Sequence, residues 1–268
     1  MFDLPALETA LATTIFAGKL NFSPVTDSTN SDALSAARSA APHGSVWLAD
    51  EQLAGRGRGR RVWDSAAGQG LYVSVLLRPS MPAARLPLLP LAAGLAAADA
   101  MRAVSGLDVD LRWPNDLLIG PRKAGGILVE AHTEGAAVAF AVAGIGINVH
   151  QRSFAPGLAT PATSLDLETG RRISRQLLLI SLLKSLEREA LGLLDAAVGQ
   201  SIPRRVEQAS TWVRGRRVQV HGPQACTGVT AGLDEHGFLL VCSASGLVTV
   251  QTGGIRAVDK DELLASSC

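Results

Sequence analysis

The chain has 268 residues, 47% of them hydrophobic, and a formal net charge of +1. That is ample for a buried core and for two domains. It excludes a general nucleic-acid-binding protein, which needs a clear basic excess, so any basic patch must be local.

In chain order, residues 3–20 alternate helically and are expected to form an opening amphipathic helix. VTDSTNSDALSAARSA (25–40) reads as a turn capping a helix, since Asp27, Ser28, Thr29 and Asn30 are all N-cap types. SVWLADE (45–51) and GLYVSVLLRP (70–79) read as strands, the second stopped by Pro79. LLPLAAGLAAADAMRAV (88–104) is helical, and DVDLRWP (108–114) is a strand ending at Pro114. Residues 124–132 and 135–149 read as a hairpin, 150–165 as a Pro/Ser/Thr loop, and 174–198 as a helix with apolar positions at Leu178, Leu182, Leu186, Leu193 and Leu194. From Val213 onward short strands alternate with glycine-containing turns, which suggests a small β-barrel. The expected domains are therefore 1–212 and 213–268.

MFDLPALETALA carries Asp3 and Glu8 where a signal peptide would be basic. The apolar run at 86–98 contains Pro87 and Pro90 and is too short to span a bilayer. Cys226, Cys242 and Cys268 form neither a metal pattern nor a disulfide framework. A reduced cytoplasmic setting is expected, with no membrane partner. His43, His132, His150, His221 and His236 show no ligand spacing, so no dedicated metal cage is expected.

Two familiar phosphate motifs fail. In GIGINV, Val149 stands where a dinucleotide fingerprint needs its third glycine, and in GPRKAGG, Gly126 stands where a P-loop needs lysine. EQLAGRGRGRRVW (51–63) is a different solution. Glycines let backbone approach a ligand, and guanidinium groups grip phosphate oxygens. Alone, such a run reads as a solvated basic loop. Here it is internal, lies between two strands, and closes on Trp63, an aromatic able to stack on a base.

Three further stretches carry chemistry. In LRWPNDLLIGPRKAGGILVE (111–130), Asn115 can pair with an adenine-like edge. Lys123 is one of only four lysines among 25 basic residues, and a compact ammonium suits a carboxylate or an α-phosphate. DSTNSD (27–32) is a helix cap, or a hydroxyl-rich helix start that binds a small polar ring. GIGIN (144–148) is a closely packed strand whose final Asn148 packing does not explain.

Taken together, DSTN, EQLAGRGRGRRVW, RWPND, RKAGGILVE and GIGIN resemble, in order and spacing, the biotin–protein ligases, and the barrel after residue 212 resembles that family's SH3-like C-terminal domain. The resemblance implies an α+β fold: a class II aminoacyl-tRNA-synthetase-like mixed sheet with helices, plus the small SH3-like barrel. It implies activation of biotin by ATP, with Mg²⁺, to biotinyl-5′-AMP and pyrophosphate, then transfer to a lysine of a biotin carboxyl carrier protein. It assigns Ser28, Thr29 and Gln52 to the ureido end of biotin, with Gly55 and the Arg56 backbone beside them, and Asn30 to the same biotin pocket. Gly126, Leu128, Gly144 and Gly146 become the pocket floor, and Lys123 faces the biotin carboxylate and the α-phosphate. Arg56, Arg58 and Arg61 become the phosphate loop, Trp63, Asn115 and Asn148 the adenine side, and Asp116 the group orienting the incoming lysine. Only 26 residues precede DSTN, so the resemblance is to members without an operator-binding domain. Such members occur as monomers or homodimers.

Three positions depart from the family pattern. Arg60 is out of register in the loop, Arg112 stands where lysine is common, and Ala124 stands where leucine is common, which is expected to widen one pocket wall. Two other readings compete. A lipoate- or octanoyl-transferring relative lacks the GRGR and WPND marks. A nucleic-acid-binding module suits neither the near-neutral charge nor a C-terminal segment whose only aromatics are Trp212 and Phe238.

Overall fold

Residues 2–59 and 61–258 are described by a computed structural model; Arg60 and the end of the expected second domain at 259–268, with Cys268, lie outside them. The chain runs through α1 (Leu4–Leu11), β1 (Leu20–Thr26), α2 (Thr29–Arg38), β2 (Val46–Gln52), β3 (Gly70–Leu77), α3 (Leu88–Ser105), β4 (Asp110–Arg112), β5 (Asp116–Ile119), β6 (Arg122–Glu134), β7 (Ala137–Asn148), α4 (Leu165–Thr169), α5 (Arg175–Leu194), α6 (Ala196–Ala209), β8 (Arg214–His221), β9 (Thr227–Leu233), β10 (Leu239–Ser243), β11 (Gly246–Val250) and β12 (Gly254–Ala257).

The first seven strands form one mixed sheet in the order β1-β2-β3-β7-β6-β5-β4. The β1–β2 pairing is parallel, and every other ladder in the sheet is antiparallel. The opening helix stops at Leu11, and LNFSPVT, not expected as a strand, forms the edge strand β1. Pro24 hides it in the sequence. Proline lacks a ladder donor and is confined to edges, and the β1–β2 register passes from Ser23 to Val25 without pairing it.

Strand alternation decides what each face carries. Along β3, Leu71, Val73, Val75 and Leu77 enter the main core, while Leu76 joins Phe140 and Val142 beneath Ala33 and Ala37 of α2. The main-core face is covered by α3 and α5. The α3 segment is long and apolar enough to cross a membrane, but it is mostly buried in this core. The helix expected at 174–198 is two helices. Asp195 leaves the helical region, and α6 turns back on α5, tied by Arg205, which donates 2.8 and 2.6 Å bonds to the buried Glu189 carboxylate.

After residue 213 the strands form a second, antiparallel sheet ordered β11-β10-β9-β8-β12. Among the described residues no ladder joins its edge strands, so the small barrel that the sequence suggests is not closed. It packs against the first unit through specific bonds. The Trp113 indole donates to the Gly237 carbonyl at 3.1 Å, and the Arg112 and Arg216 guanidiniums lie over the Trp212 ring, 5.2 and 4.0 Å from its centroid.

Candidate active site

On the sheet face occupied by α2, alternation brings Tyr72 and Ser74 of β3 beside Gly144, Gly146 and Asn148 of β7. The glycines remove side chains from that face and leave a cleft of about 280 Å³. Close approach requires them: a Cβ on Gly144 would land on the Asn30 amide oxygen, and one on Gly146 would sit 2.7 Å from the Trp63 indole.

Strict alternation would carry Lys123 away from Gly126 and into the core. The β5–β6 register instead jumps from Leu117↔Gly125 to Leu118↔Lys123, leaving Ala124 as the extra residue of a bulge. The bulge re-aims Lys123 into the cleft. Ala124 is fully buried in the main core, so it does not widen the pocket wall as expected. The small side chain fits the bulge inside that packing.

At one end, Ser28 caps α2 without making a side-chain capping bond. The Thr29 backbone amide and hydroxyl reach Gln52 Oε1 at 3.0 and 3.1 Å, and Gln52 Nε2 donates to Ser65 at 2.8 Å. Ser74 lies 2.7 Å from the Thr29 hydroxyl and donates to Asn30 Oδ1 at 2.6 Å. This end offers hydroxyls and amides in fixed positions, suited to a small polar ring.

In the middle, Asp116 Oδ1 meets Lys123 Nζ at 2.5 Å, and Oδ2 meets Arg112 Nη2 at 2.5 Å. Burial pushes the Asp116 carboxyl up, but the Lys123 and Arg112 charges and hydrogen bonds outweigh it and hold it below the usual carboxylate value. Arg112 also donates to Thr160 at 2.9 Å. Asn115 Nδ2 donates to the Ile127 carbonyl at 2.7 Å, and Asn148 Nδ2 to the Thr163 carbonyl at 2.9 Å.

Over this lies the Gly-Arg loop, folded back on itself. Gln52 bridges Ser65, Arg56 bridges Val62, and Gly57 N donates to the Arg61 carbonyl at 2.8 Å. Arg58 reaches across to the second sheet, donating to the Gly253 carbonyl at 2.9 Å and to Asn115 at 3.4 Å. Burial lowers the Arg58 guanidinium, with Asp116 opposing and Arg61 adding; a guanidinium nevertheless stays charged. Arg56 grips Glu130 with both amino groups, at 3.0 and 2.6 Å.

The Trp63 indole rests on the floor made by Gly126 and Gly146, with Lys123 Nζ 5.4 Å from its ring centroid. Its Nε1 is buried and has no hydrogen-bond partner among the described residues. The indole therefore covers the floor that the resemblance gives to biotin.

Of the expected residues, Ser28, Thr29, Asn30, Gln52, Arg56, Arg58, Arg61, Trp63, Asn115, Asp116, Lys123, Gly126, Leu128, Gly144, Gly146 and Asn148 all line this one cleft. Gly55 stands behind it, pressed on the Trp63 carbonyl, where a Cβ has no room. Sequence reasoning missed Ser65, Ser74 and Glu130 as site residues. Ser74 had a signal: it is the single serine or threonine within the apolar run LYVSVLL. Phe154, Leu158 and Thr160, from the segment read only as a loop, also border the cleft.

Fold and cleft together define a mixed-sheet α+β domain whose cleft sets a hydroxyl and amide wall beside a buried ion pair, with the Gly-Arg loop folded over it. Residues 22–148 match the family model described as the biotin/lipoate A/B protein ligase family. A bifunctional ligase/repressor BirA of Bacillus spizizenii is 41% identical over 167 residues, 62% of this chain and 51% of that protein, so the chain spans about half that relative's length. The biotin–[acetyl-CoA-carboxylase] ligase of Mycobacterium tuberculosis is 35% identical over 236 residues, covering 86% of this chain and 85% of that one. The solved structure of biotin protein ligase from Aquifex aeolicus in complex with biotin and ATP superposes with a TM-score of 0.77 at 28% identity, over 90% of this chain and 100% of that one. The chain belongs to the biotin/lipoate A/B protein ligase family.

Proposed function

We propose that the chain is a biotin–protein ligase that forms biotinyl-5′-AMP from biotin and ATP and passes biotin to a lysine of a carboxyl carrier protein. The observation that carries this reading is the juxtaposition, in one cleft, of the hydroxyl and amide wall around Thr29, the Lys123–Asp116 pair, and the arginine loop. A relative of the same fold, solved with biotin and ATP, adds its weight.

The chemistry follows from the groups present. Joining a carboxylate to a polyphosphate brings like charges together, so fixed positive charge lowers the barrier. Lys123 stands between the ring-binding wall and the loop and takes that role. Arg58 and Arg61 hold the phosphates, and Ser28, Thr29 and Gln52 hold the ureido ring. The glycine floor accepts the apolar ring and chain of biotin. Closure of the loop keeps water from the mixed anhydride. Asp116, between Lys123 and Arg112, orients the acceptor lysine in the second step.

Among the described residues no group of three His, Cys, Asp or Glu side chains could hold a metal. Asp116 is already paired twice. The residues do not form a magnesium cage, and Mg²⁺ enters on the phosphates of ATP. We further take residues 1–212 as the catalytic unit and 213–268 as a supporting one, acting in the cytoplasm.

The reading is tested by pyrophosphate release from ATP, measured with and without biotin. Release that requires biotin, and is not supported by lipoate, is the expected result. Release driven equally by lipoate, or none with biotin, would overturn it.

A further inference from the structure

Glu130 lies on β6 behind the wall of the cleft, and its carboxylate joins two parts of the site. Oε1 and Oε2 each accept from an amino group of Arg56, at 3.0 and 2.6 Å. Oε2 also accepts from Asn30 Nδ2 at 2.9 Å. We propose that Glu130 is a positioning residue for the ring-binding end: by fixing the Asn30 amide it commits the Ser74 proton to Asn30 and leaves the Thr29 hydroxyl's lone pairs free for the ligand. The proposal rests on the biotin reading above, because a cyclic urea presents an N–H that such a lone pair accepts.

The argument is one of proton counting. Asn30 Nδ2 faces two acceptors, the Glu130 carboxylate and the Leu128 carbonyl at 3.3 Å. Turned over, the amide oxygen would face those oxygens instead, which is repulsive. Asn30 Oδ1 therefore points at Ser74, and the single Ser74 proton is committed to it at 2.6 Å. Ser74 then has no proton to give Thr29, and the single Thr29 proton faces two protein acceptors, Ser74 Oγ at 2.7 Å and Gln52 Oε1 at 3.1 Å. Whichever takes it, the proton is drawn inward, and what Thr29 offers the cleft is a lone pair.

The far end of the network agrees. Ser65 donates to the Trp63 carbonyl at 3.1 Å and so accepts from Gln52 Nε2 at 2.8 Å, which turns Gln52 Oε1 toward the Thr29 amide. Each bond in the run from Glu130 to Ser65 has one allowed direction, except that the Thr29 proton is shared between Ser74 and Gln52. The only charged group within it is Glu130, held in place by Arg56.

The test measures KM for biotin and for ATP in the pyrophosphate assay for the wild type, Glu130→Gln, Asn30→Ala and the double variant. Losing the fixed polarity of one hydrogen bond is expected to raise KM for biotin about tenfold in Glu130→Gln while KM for ATP stays within about twofold. Because Glu130 acts through Asn30, the double variant should be no worse for biotin than Asn30→Ala alone. Ser74→Ala, on the other side of Asn30, should give the same biotin-specific loss. An unchanged KM for biotin in Glu130→Gln, a parallel rise for both substrates, or additive losses in the double variant would overturn the proposal. A wild type that releases no pyrophosphate with biotin would instead overturn the ligase reading itself.

Discussion

Lys123 Nζ stands 2.5 Å from Asp116 Oδ1, and the bulge at Ala124 is what brings the two together across β5 and β6. The ammonium is one-quarter exposed and the carboxylate about one-eighth, so the pair sits at the mouth of the cleft with one face toward it.

Lys123→Ala is expected to slow adenylate formation by about 10² to 10³-fold, the range for removing one fixed charge from a reacting anion. Biotin-dependent pyrophosphate release checks this. Normal release in the variant would remove Lys123 from the chemistry.

Asp116 also links the site to stability. Folding lowers its pKa, so its contribution is present above the ordinary carboxyl value and is lost as pH falls through the lowered one. Asp116→Asn leaves Arg112 and Lys123 with no counter-charge and should cost about 3 kcal/mol near neutral pH. In urea titrations, the gap between wild type and variant should hold steady from neutrality down to about pH 4 and narrow only below it. A gap that closes at higher pH would contradict the assignment.

Arg58 is the lid's tie to the second sheet, through the Gly253 carbonyl. Arg58→Ala should raise KM for ATP about tenfold or more, with KM for biotin affected less, since a charge-assisted bond to phosphate is lost. Arg58→Lys should not restore it, because an ammonium cannot span two acceptors with a planar fork. Steady-state kinetics with each substrate varied decides this. Full rescue by lysine would show that charge alone suffices.

Much of this architecture was readable in advance where one signal dominates. The apolar run 70–77, the Ala/Leu helix and the long hairpin are unambiguous in composition, and they became β3, α3 and the β6–β7 pair. What escaped were elements set by tertiary context. The β1 strand contains Pro24, and α6 was merged with α5 because Asp195 breaks the helix without an obvious stop residue. The site follows the same division. Motif residues such as Lys123 and Gly144 announce themselves, whereas Ser65 and Glu130 acquire meaning only from partners far away in the chain. Ala124 was misplaced because a bulge cannot be seen in strand periodicity.

Gly144→Ala tests that close packing. Its Cβ would displace the Asn30 amide, so the variant should lose about 1–3 kcal/mol of stability from overpacking. It should also lose biotin affinity while ATP affinity stays near that of the wild type. Calorimetric titration with each ligand and a thermal melt give both readouts. Unchanged biotin binding would show that Asn30 can move at no cost to the pocket.

The central claim is tested most directly by incubating the protein with ATP, Mg²⁺, biotin and a biotin carboxyl carrier domain, and weighing the carrier by mass spectrometry. The account predicts the addition of one biotin, at one lysine, dependent on ATP. A carrier of unchanged mass, or one that gains lipoate in place of biotin, would contradict it.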